Sequence, residues 1–373
     1  MPIAQSLRQL LEIRKNNEGY LRSIPGCLGT AVGFRYLEHE GRFDGEESGE
    51  FNPANLKPAI LVFVIEKIPA AALTRATLIP EKFFAPPDLE CYSDVIVGKP
   101  PELIQVDPPT TGFNAHIIHD LHNKDLGIIG GIPIEGGASV GTAGVVLESE
   151  GKLGILTNFH VAGFEDSQVF RLGPVFEFVG TTTRSIPRAP HTPEFSDDLE
   201  SFSTVEHPFD HRVDIGFVEL NEAGVEKAKP WVYALTQPLG APFELDLDHP
   251  GFSPVGRNVV GVGQKLGRQK GRILAYGYEW RSSFTSDQWY ATDYLIKGEG
   301  EFPFAGPGDS GKLVVTNDIE RRPIALLWGG ERHFFSNVPA QATCAYATEI
   351  GLVLKLLGDA KINWQPQTCT CEK

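Results

Sequence analysis

One serine lies in a glycine-rich turn, within "GPGDSGKLVV" at residues 306–315. Serine is a poor nucleophile at neutral pH, so acyl transfer by Ser310 needs a histidine base, a carboxylate that orients the base, and N–H donors for the developing oxyanion. The glycines permit backbone angles that other residues avoid, which makes the amides of Gly308 and Ser310 candidates for an oxyanion hole. Taken alone, such a turn is more often structural than catalytic. The motif therefore needs partners elsewhere in the chain.

Two further segments hold candidate partners for this serine. "GILTNFHVAG" places His160 at the end of an apolar strand, where it is the candidate base. "HRVDIGFVEL" places Asp214 at the start of an alternating strand, a position from which a carboxylate can orient an imidazole. Asp210 and His211 lie just upstream, but an acid at the strand start is better placed, and Asp210 is interpreted as a solvated turn residue. The order His160, Asp214, Ser310 is that of chymotrypsin-type triads.

These segments carry a family resemblance. "LTNFHV", "VDIGFVEL" and "GPGDSGKLVV" resemble the three signature segments of trypsin-like serine peptidases, and "IALLWGG" resembles their substrate-binding strand. Within that superfamily, "GTAGVVLESEGKLGILTNFHV", "VGQKLGRQKGRI" and an N-terminal "GTAVGF…AILVFV" module are similar to intracellular bacterial and plant proteins of the Narrow-leaf type. The resemblance implies a pair of six-stranded β-barrels, with His160 and Asp214 from the first barrel and Ser310 from the second.

Two features depart from the family pattern. Lys312 stands where a glycine usually follows the Ser-Gly pair, which adds a cation near the site. "GEFPFAGPGD" has no carboxylate near Phe304, so selection of Arg or Lys through an ion pair is not expected. We predict that Phe304, Trp328 and Gly329 form the substrate-pocket walls, which favours an apolar or small residue before the scissile bond. Asp309 would either pair with a buried amine or brace the oxyanion turn, and the sequence leaves both open.

The joint pattern predicts a serine endopeptidase that acts on proteins or peptides through an acyl-enzyme and needs no cofactor. Two alternatives use the same fold. One is a non-catalytic peptide-binding protein, and the other is an esterase of small molecules. Three segments in the correct order, each at a strand boundary, favour the peptidase.

The elements that position these residues indicate a mainly β fold, a chymotrypsin-like double β-barrel with a small α+β N-terminal domain. The first twenty residues predict an amphipathic helix, and "CLGTAVGFRYLEH" and "PAILVFVIEKI" predict paired strands. From about residue 126, short β-like runs alternate with glycines, as in an antiparallel barrel. "AYATEIGLVLKLLG" predicts a closing helix.

We therefore divide the chain into three parts. Residues 1–125 form an N-terminal module expected to recruit or regulate through a substrate, an activating partner or a second copy of the chain. Residues 126–360 form the peptidase domain, and residues 361–373 a C-terminal tail. The polar, proline-rich stretch within 181–212 suits a mobile lid or a processing site.

Composition limits the partners and the location. A formal net charge of −15 disfavours nucleic acid. No apolar run approaches the roughly 18 residues of a membrane span, and the charged N-terminus does not fit a signal peptide. Five cysteines, an odd number in a large chain, indicate reduced thiols. A soluble cytoplasmic protein is expected.

Two groups of residues have part of the spacing of a metal site. Cys369 and Cys371 form a C-x-C pair without the second pair that zinc requires. "HIIHDLHNKD" spaces His116, His119 and His122 by three, but no acidic or thiol partner is evident, so a surface or inter-domain segment is favoured. No metal is expected.

Overall fold

The computed structural model describes residues 1–37, 40–47, 51–74, 77–97, 110–137, 139–189, 212–235, 238–281, 288–299, 303–332 and 343–362. Within these ranges the helices are α1 (Leu7–Ser23), α2 (Gly112–Asn123), α3 (Phe159–Ala162), α4 (Glu222–Lys227) and α5 (Ile350–Leu356). Two short 3₁₀ helices cover Pro53–Asn55 and Ala70–Ala72.

Strands dominate the described residues. The first ten are β1 (Cys27–Phe34), β2 (Tyr36–Leu37), β3 (Arg42–Phe43), β4 (Pro58–Val64), β5 (Lys82–Ala85), β6 (Leu89–Val97), β7 (Ile128–Gly130), β8 (Pro133–Gly136), β9 (Ser139–Thr142) and β10 (Val145–Ser149). The remainder are β11 (Lys152–Thr157), β12 (Gln168–Arg171), β13 (Glu177–Ile186), β14 (Ile215–Leu220), β15 (Ala228–Val232), β16 (Asn258–Gly263), β17 (Gly267–Arg281), β18 (Trp289–Gly298), β19 (Leu313–Thr316), β20 (Pro323–Arg332) and β21 (Thr343–Glu349). The predicted mainly β fold is confirmed.

A closed six-stranded barrel forms the C-terminal half. Its strands run in the order β16-β19-β20-β21-β18-β17, and pairing of β16 with β17 closes the circle. All these pairings are antiparallel. Closure removes the unpaired edges that an open sheet would present. The turn that holds Ser310 lies at the start of β19.

A half-barrel forms the middle of the chain. Its seven strands run in the order β10-β11-β14-β13-β12-β8-β9, and the described strands do not close into a circle. The resemblance implied six closed strands here, so this part differs. Thr142, the last residue of β9, donates its N–H to the Ser310 carbonyl oxygen of the other barrel at 2.8 Å.

The N-terminal strands extend the sheet of the closed barrel. β1 and β4 pair antiparallel, as predicted, and β6 joins β4 in parallel. β1 also pairs with β17, with Gly29 opposite Trp280. The Phe63 and Tyr278 rings meet at 4.8 Å in one hydrophobic core that includes Leu7 of α1. The predicted boundary at residue 125 stays a prediction, but the N-terminal unit shares its sheet and core with the barrel.

The predicted closing helix is correct only in its second half. "TCAYATE" forms β21, and the helix begins at Ile350. β18 and β20 pair with β21 on its two sides, which outweighs the local helical pattern. Glu349 ends the strand and caps α5 by accepting from the N–H groups of Gly351 at 2.7 Å and Leu352 at 2.6 Å.

Three described cysteines, Cys27, Cys91 and Cys344, are free and buried. Burial raises the pKa of Cys27 to about 11 and that of Cys91 and Cys344 each to about 12, so they are protonated thiols at neutral pH. Asp210, His211, the Cys369 and Cys371 pair, and residues 190–211 of the predicted lid lie outside the described residues. Residues 181–186 of that stretch belong to β13 and pair with β14, so the prediction of a mobile lid is wrong for this part.

The histidines of α2 do not gather into a ligand set. His119 is exposed beside Asp120, and His122 Nε2 lies 3.2 Å from the Gln264 carbonyl oxygen. In the described ranges no three His, Cys, Asp or Glu side chains are arranged to hold a metal ion. None of the described helices has the length and apolar character to cross a membrane.

Candidate active site

His160 and Asp214 meet because their strands are neighbours. β11 and β14 pair antiparallel with Thr157 opposite Gly216, so the end of β11 lies beside the start of β14. His160 follows β11 in the single turn of α3. Its Nδ1 lies 2.8 Å from Asp214 Oδ2, and its backbone N–H donates to Asp214 Oδ1 at 3.3 Å. The Asp214 side chain is 8% exposed and that of His160 39%, so the imidazole reaches solvent while its partner is covered.

Close packing holds this pair in register. The Asn158 side-chain amide donates to the Asp214 carbonyl oxygen at 2.7 Å. A Cβ on Gly216 would lie 2.4 Å from Cβ of Ala162, so only glycine lets α3 approach β14 this closely. The pair is thus fixed by neighbours as well as by its own hydrogen bond.

The closed barrel anchors the segment that leads into Asp214. Arg212 Nη1 lies 2.9 Å from Asp293 Oδ1, and both side chains are buried. Thr348 Oγ1 donates to the Arg212 carbonyl oxygen at 2.7 Å, and the Glu349 N–H donates to Asp293 Oδ2 at 2.8 Å. The carboxylate of the half-barrel is therefore positioned by a buried ion pair to the other barrel.

The Ser310 turn depends on glycine at two positions. Gly308 has φ +99° and Gly311 has φ +92°, in the region that L side chains rarely adopt. A Cβ on Gly311 would lie 2.2 Å from both the Thr142 carbonyl oxygen and Thr157 Oγ1. Within the described part of the chain, the Gly308 and Ser310 N–H groups donate to no other group. The role of these two amides as an oxyanion hole therefore stays a prediction.

One strand contacts both halves of the site. Ser139, at the start of β9, donates from its hydroxyl to the His160 carbonyl oxygen. Thr142, at the end of β9, donates from its hydroxyl to the Gly308 carbonyl oxygen at 2.9 Å, in addition to its N–H bond to Ser310. Three residue steps in a strand span about 10 Å. β9 therefore sets the spacing between the base segment and the serine turn.

The Ser310 hydroxyl donates to the Trp328 carbonyl oxygen at 3.4 Å, a long hydrogen bond. Among the described residues, Ser310 and His160 share no hydrogen bond. Such bonds are often long or absent in unliganded sites and tighten when substrate is present. The structure brings the three predicted residues into one region without forming the serine–histidine contact.

Beneath the turn lie two buried charges. Asp309 accepts from the N–H groups of Lys265 at 2.9 Å and Gly306 at 3.0 Å. Lys312 Nζ lies 3.8 Å from Asp309 Oδ2 and donates to the Phe304 carbonyl oxygen. Burial lowers the pKa of Lys312, and the Asp309 charge opposes that shift. The unusual lysine thus points inward, and Asp309 both braces the turn and lies near a buried amine.

The predicted pocket walls divide into two sets. Trp328, 6% exposed, and the partly exposed Gly329 lie on β20 beside Ser310. Phe304 is fully buried, with its ring 4.4 Å from Lys312 Nζ, and its role as a pocket wall stays a prediction. It lies beneath the turn because the buried ammonium and the ring attract each other there.

Sequence reasoning missed three residues that shape the site, Thr142, Arg212 and Arg188. Arg188 places its guanidinium carbon 4.1 Å from the Trp328 ring centre. A single threonine or arginine carries no motif, so nothing in the local sequence marked them. Their contacts depend on residues distant in the chain.

Comparison with solved structures finds Thermobifida fusca protease A and Nocardiopsis protease. Each aligns over 63% of this chain and 97% of its own, with TM-score 0.40 and 17% identity. Similarity at this level is not evidence of a shared activity.

Comparison of sequences is more informative. Protein NARROW LEAF 1 of Oryza sativa subsp. japonica is 28% identical over 353 residues, which cover 88% of this chain and 55% of that protein. The chain therefore spans about half the length of this relative. A family model described as the NARROW LEAF 1 N-terminal domain matches residues 2–96, and one described as the Nal1 C-terminal domain matches residues 111–338. Because the second match alone covers more than half of the sequence, the chain belongs to the Nal1 family.

Proposed function

We propose that this protein is a serine endopeptidase that hydrolyses peptide bonds through an acyl-enzyme. The observation that carries the proposal is the 2.8 Å contact between His160 Nδ1 and Asp214 Oδ2 in the same region as the Ser310 turn, two of whose amides donate to no described group. A histidine bonded to a carboxylate through one nitrogen presents its other nitrogen as a base. The arrangement therefore supplies the base, its orienting group and an oxyanion site together.

The first half of the reaction forms the acyl-enzyme. Ser310 Oγ leaves its long bond to the Trp328 carbonyl and gives its proton to His160 Nε2 as the oxygen attacks the substrate carbonyl carbon. The tetrahedral oxyanion accepts hydrogen bonds from the Gly308 and Ser310 amides. His160 then protonates the leaving amine, the C–N bond breaks and the acyl group remains on Ser310.

The second half releases the acid. Water gives a proton to His160 Nε2 and attacks the ester carbon, and the oxyanion is held by the same two amides. His160 returns the proton to Ser310 Oγ as the ester bond breaks. Asp214 keeps the imidazole oriented throughout and stabilises its cationic form. These steps use only groups of this chain and water.

We also propose a role for the N-terminal module and a cellular location for the protein. We assign residues 1–125 to recruitment of a protein substrate, an activating partner or a second copy of the chain. Support comes from the shared sheet. β1 of this module pairs with β17 of the closed barrel, so a ligand bound to the module would be held next to that barrel. We propose a cytoplasmic location on the basis of the three free, buried thiols.

Fluorophosphonate labelling tests the proposed activity, because this reagent reacts with an activated serine. We expect a single adduct on Ser310, found by mass spectrometry of the digested protein. Ser310→Ala should abolish it, and His160→Ala should slow it by about 10³-fold or more. Ser93→Ala, on β6 in the N-terminal extension of the sheet, serves as the matched control and should label normally.

The alternatives give different results. A peptide-binding protein would show no adduct in the folded wild type, and this outcome would contradict the peptidase. An esterase would label on Ser310 and cleave a broad range of esters but no peptide in a proteome-derived library. Cleavage of library peptides by wild type but not by Ser310→Ala is the result that we expect.

A further inference from the structure

Two buried hydrogen-bond donors beside the candidate site lack an acceptor. Arg188 Nη1 and Trp328 Nε1 are both shielded from solvent, and neither has a hydrogen-bond partner in the part of the chain that the structure describes. Trp328 is itself 6% exposed. Leaving a buried donor unpaired costs free energy, more so for a charged group. Two such donors on residues that contact each other are candidates for an acceptor supplied by a ligand.

Aromatic stacking holds the arginine in place. The guanidinium carbon lies 4.1 Å from the centre of the Trp328 ring and 4.7 Å from that of Tyr290. Ring faces stabilise the cation, but they do not satisfy N–H groups that project from the edge of the guanidinium plane. Arg188 is therefore a fixed positive charge with donors left over.

The arginine is within reach of a substrate bound at Ser310. Trp328 contacts the nucleophile through its carbonyl oxygen at 3.4 Å and contacts Arg188 through its ring at 4.1 Å. These two contacts and the Trp328 residue between them span the distance from Ser310 to the guanidinium. An extended peptide, at about 3.3 Å per residue, covers that distance in about four residues.

The strand that carries Trp328 has an edge to which a peptide can bind. β20 pairs with β19 through Leu326, and Leu327 exchanges backbone hydrogen bonds with Gly311 and Lys312. Beyond Leu327, β21 is the only strand that pairs with β20 among the described residues. An extended substrate can add to such an edge by backbone hydrogen bonds. Its side chains would then pass over Trp328 toward Arg188.

We propose that Arg188, together with Trp328 Nε1, binds the carboxylate of an aspartate or glutamate in the substrate, within four residues of the scissile bond. A guanidinium offers paired donors that match a carboxylate, and the indole N–H supplies a third. This inference rests on the proposed peptidase function. It adds an acidic subsite to the apolar or small residue expected next to the cut. Because the net charge of the chain is −15, only a local cation can favour an acidic peptide.

The first test is a cleavage profile. Wild type and Arg188→Gln digest a proteome-derived peptide library at 0.15 M salt, and mass spectrometry identifies the cut sites. We expect Asp and Glu to be enriched at one position within four residues of the wild-type cuts and not with Arg188→Gln. For a matched pair of peptides with Glu or Gln at that position, wild type should prefer Glu by about 10-fold or more in kcat/KM, mainly through KM.

Arg184→Gln is the matched control. Arg184 lies on β13, four residues before Arg188, and its guanidinium already pairs with Glu150 at 3.0 Å. The substitution removes the same charge from the same segment and should leave the Glu preference intact. Arg188→Lys keeps the charge but loses the planar donor pair, so we expect an intermediate preference.

A binding measurement separates this proposal from the peptidase proposal. Ser310→Ala, with and without Arg188→Gln, is titrated into two fluorescent mixtures of randomised pentapeptides, one with a fixed Glu and one with a fixed Gln. We expect tighter binding of the Glu mixture only when Arg188 is present. If the wild type fails to label with fluorophosphonate, the peptidase proposal fails, while this titration still decides the role of Arg188. Equal binding of both mixtures, or a Glu preference that survives Arg188→Gln, overturns the carboxylate site.

Discussion

The two halves of the candidate site are built in different ways. The half-barrel contributes His160 and Asp214, two side chains that bond directly to each other, and the imidazole is partly exposed. The closed barrel contributes Ser310 on a turn whose backbone is braced from below by Asp309 and Lys312, both fully buried. The candidate base is thus positioned by a bond between two side chains, and the candidate nucleophile by buried side chains that hold the backbone of its turn.

This difference predicts which substitutions in each half affect activity alone and which also affect stability. A single side-chain change can disable the base half while leaving the fold intact, because Asp214 contributes orientation more than packing. The nucleophile half depends on buried charges and on glycines, so changes there act through stability as well. Arg212 links the halves, because it joins the segment before Asp214 to Asp293 of the closed barrel.

Asp214→Asn should have the largest effect on activity, and this effect should arise only in the half of the site that holds His160. The amide keeps the shape of the carboxylate but no longer favours the productive imidazole tautomer, so we expect kcat to fall on the order of 10⁴-fold. The melting temperature should change little. Kinetics on a cleaved library peptide and thermal unfolding by circular dichroism measure the two. Asp248→Asn, in an exposed pair with Arg8, is the control and should leave both unchanged. A kcat within threefold of wild type would exclude Asp214 from the mechanism.

Arg212→Met breaks the link between the halves. It removes the guanidinium that lies 2.9 Å from the buried Asp293 carboxylate, which should lower the free energy of unfolding by about 3–5 kcal/mol. Urea unfolding measures this loss. Arg184→Met removes an arginine from a more exposed pair and should cost about 1 kcal/mol or less. If Arg212→Met costs no more than the control, the buried pair does not hold the barrels together.

Replacement of Lys312 separates its packing from its charge. Lys312→Ala leaves a cavity at a fully buried position and should lower the free energy of unfolding by about 3 kcal/mol. Lys312→Met fills the same space but removes the ammonium that faces Asp309 and bonds the Phe304 carbonyl oxygen, so it should cost less than Lys312→Ala but more than a surface substitution. Asp309 retains its backbone donors in both variants. Urea unfolding measures both losses. Equal losses of unfolding free energy would show that the Lys312 ammonium, and not its aliphatic chain, supports the turn.

The smallest effect is a change of stability with pH that arises from Glu349, at the end of β21 in the closed barrel. Burial raises the pKa of Glu349 from 4.5 to about 7 in the folded protein. The folded state therefore holds this proton more tightly than the unfolded state, and the contribution of Glu349 to stability falls as pH rises from about 4.5 to 7. The expected loss is about 3 kcal/mol.

Urea unfolding of wild type and Glu349→Gln across this range isolates the contribution. The difference in unfolding free energy, variant minus wild type, should grow with pH up to about 7 and then level off. A difference that does not change with pH would show that Glu349 does not titrate in this window.

Local patterns in the sequence anticipated much of the fold. Alternating and β-branched runs predicted the paired strands β1 and β4, and the glycine-separated runs after residue 126 predicted a β-rich architecture. Helical periodicity predicted α1 but extended α5 too far toward the N-terminus. β21 is a strand because it pairs on both sides, with strands that lie outside any local window. The continuity of the N-terminal strands with the closed barrel was missed for the same reason.

For the candidate site, the sequence by itself determined the residue types, their order and their places at strand ends, because strand boundaries and glycine turns have local signatures. Only the tertiary structure decided that Asp214 meets His160 at 2.8 Å, that Lys312 points beneath the turn and that Arg188 lies over Trp328. Burial and the choice of hydrogen-bond partner are set by side chains far apart in the chain, so no local pattern can contain them.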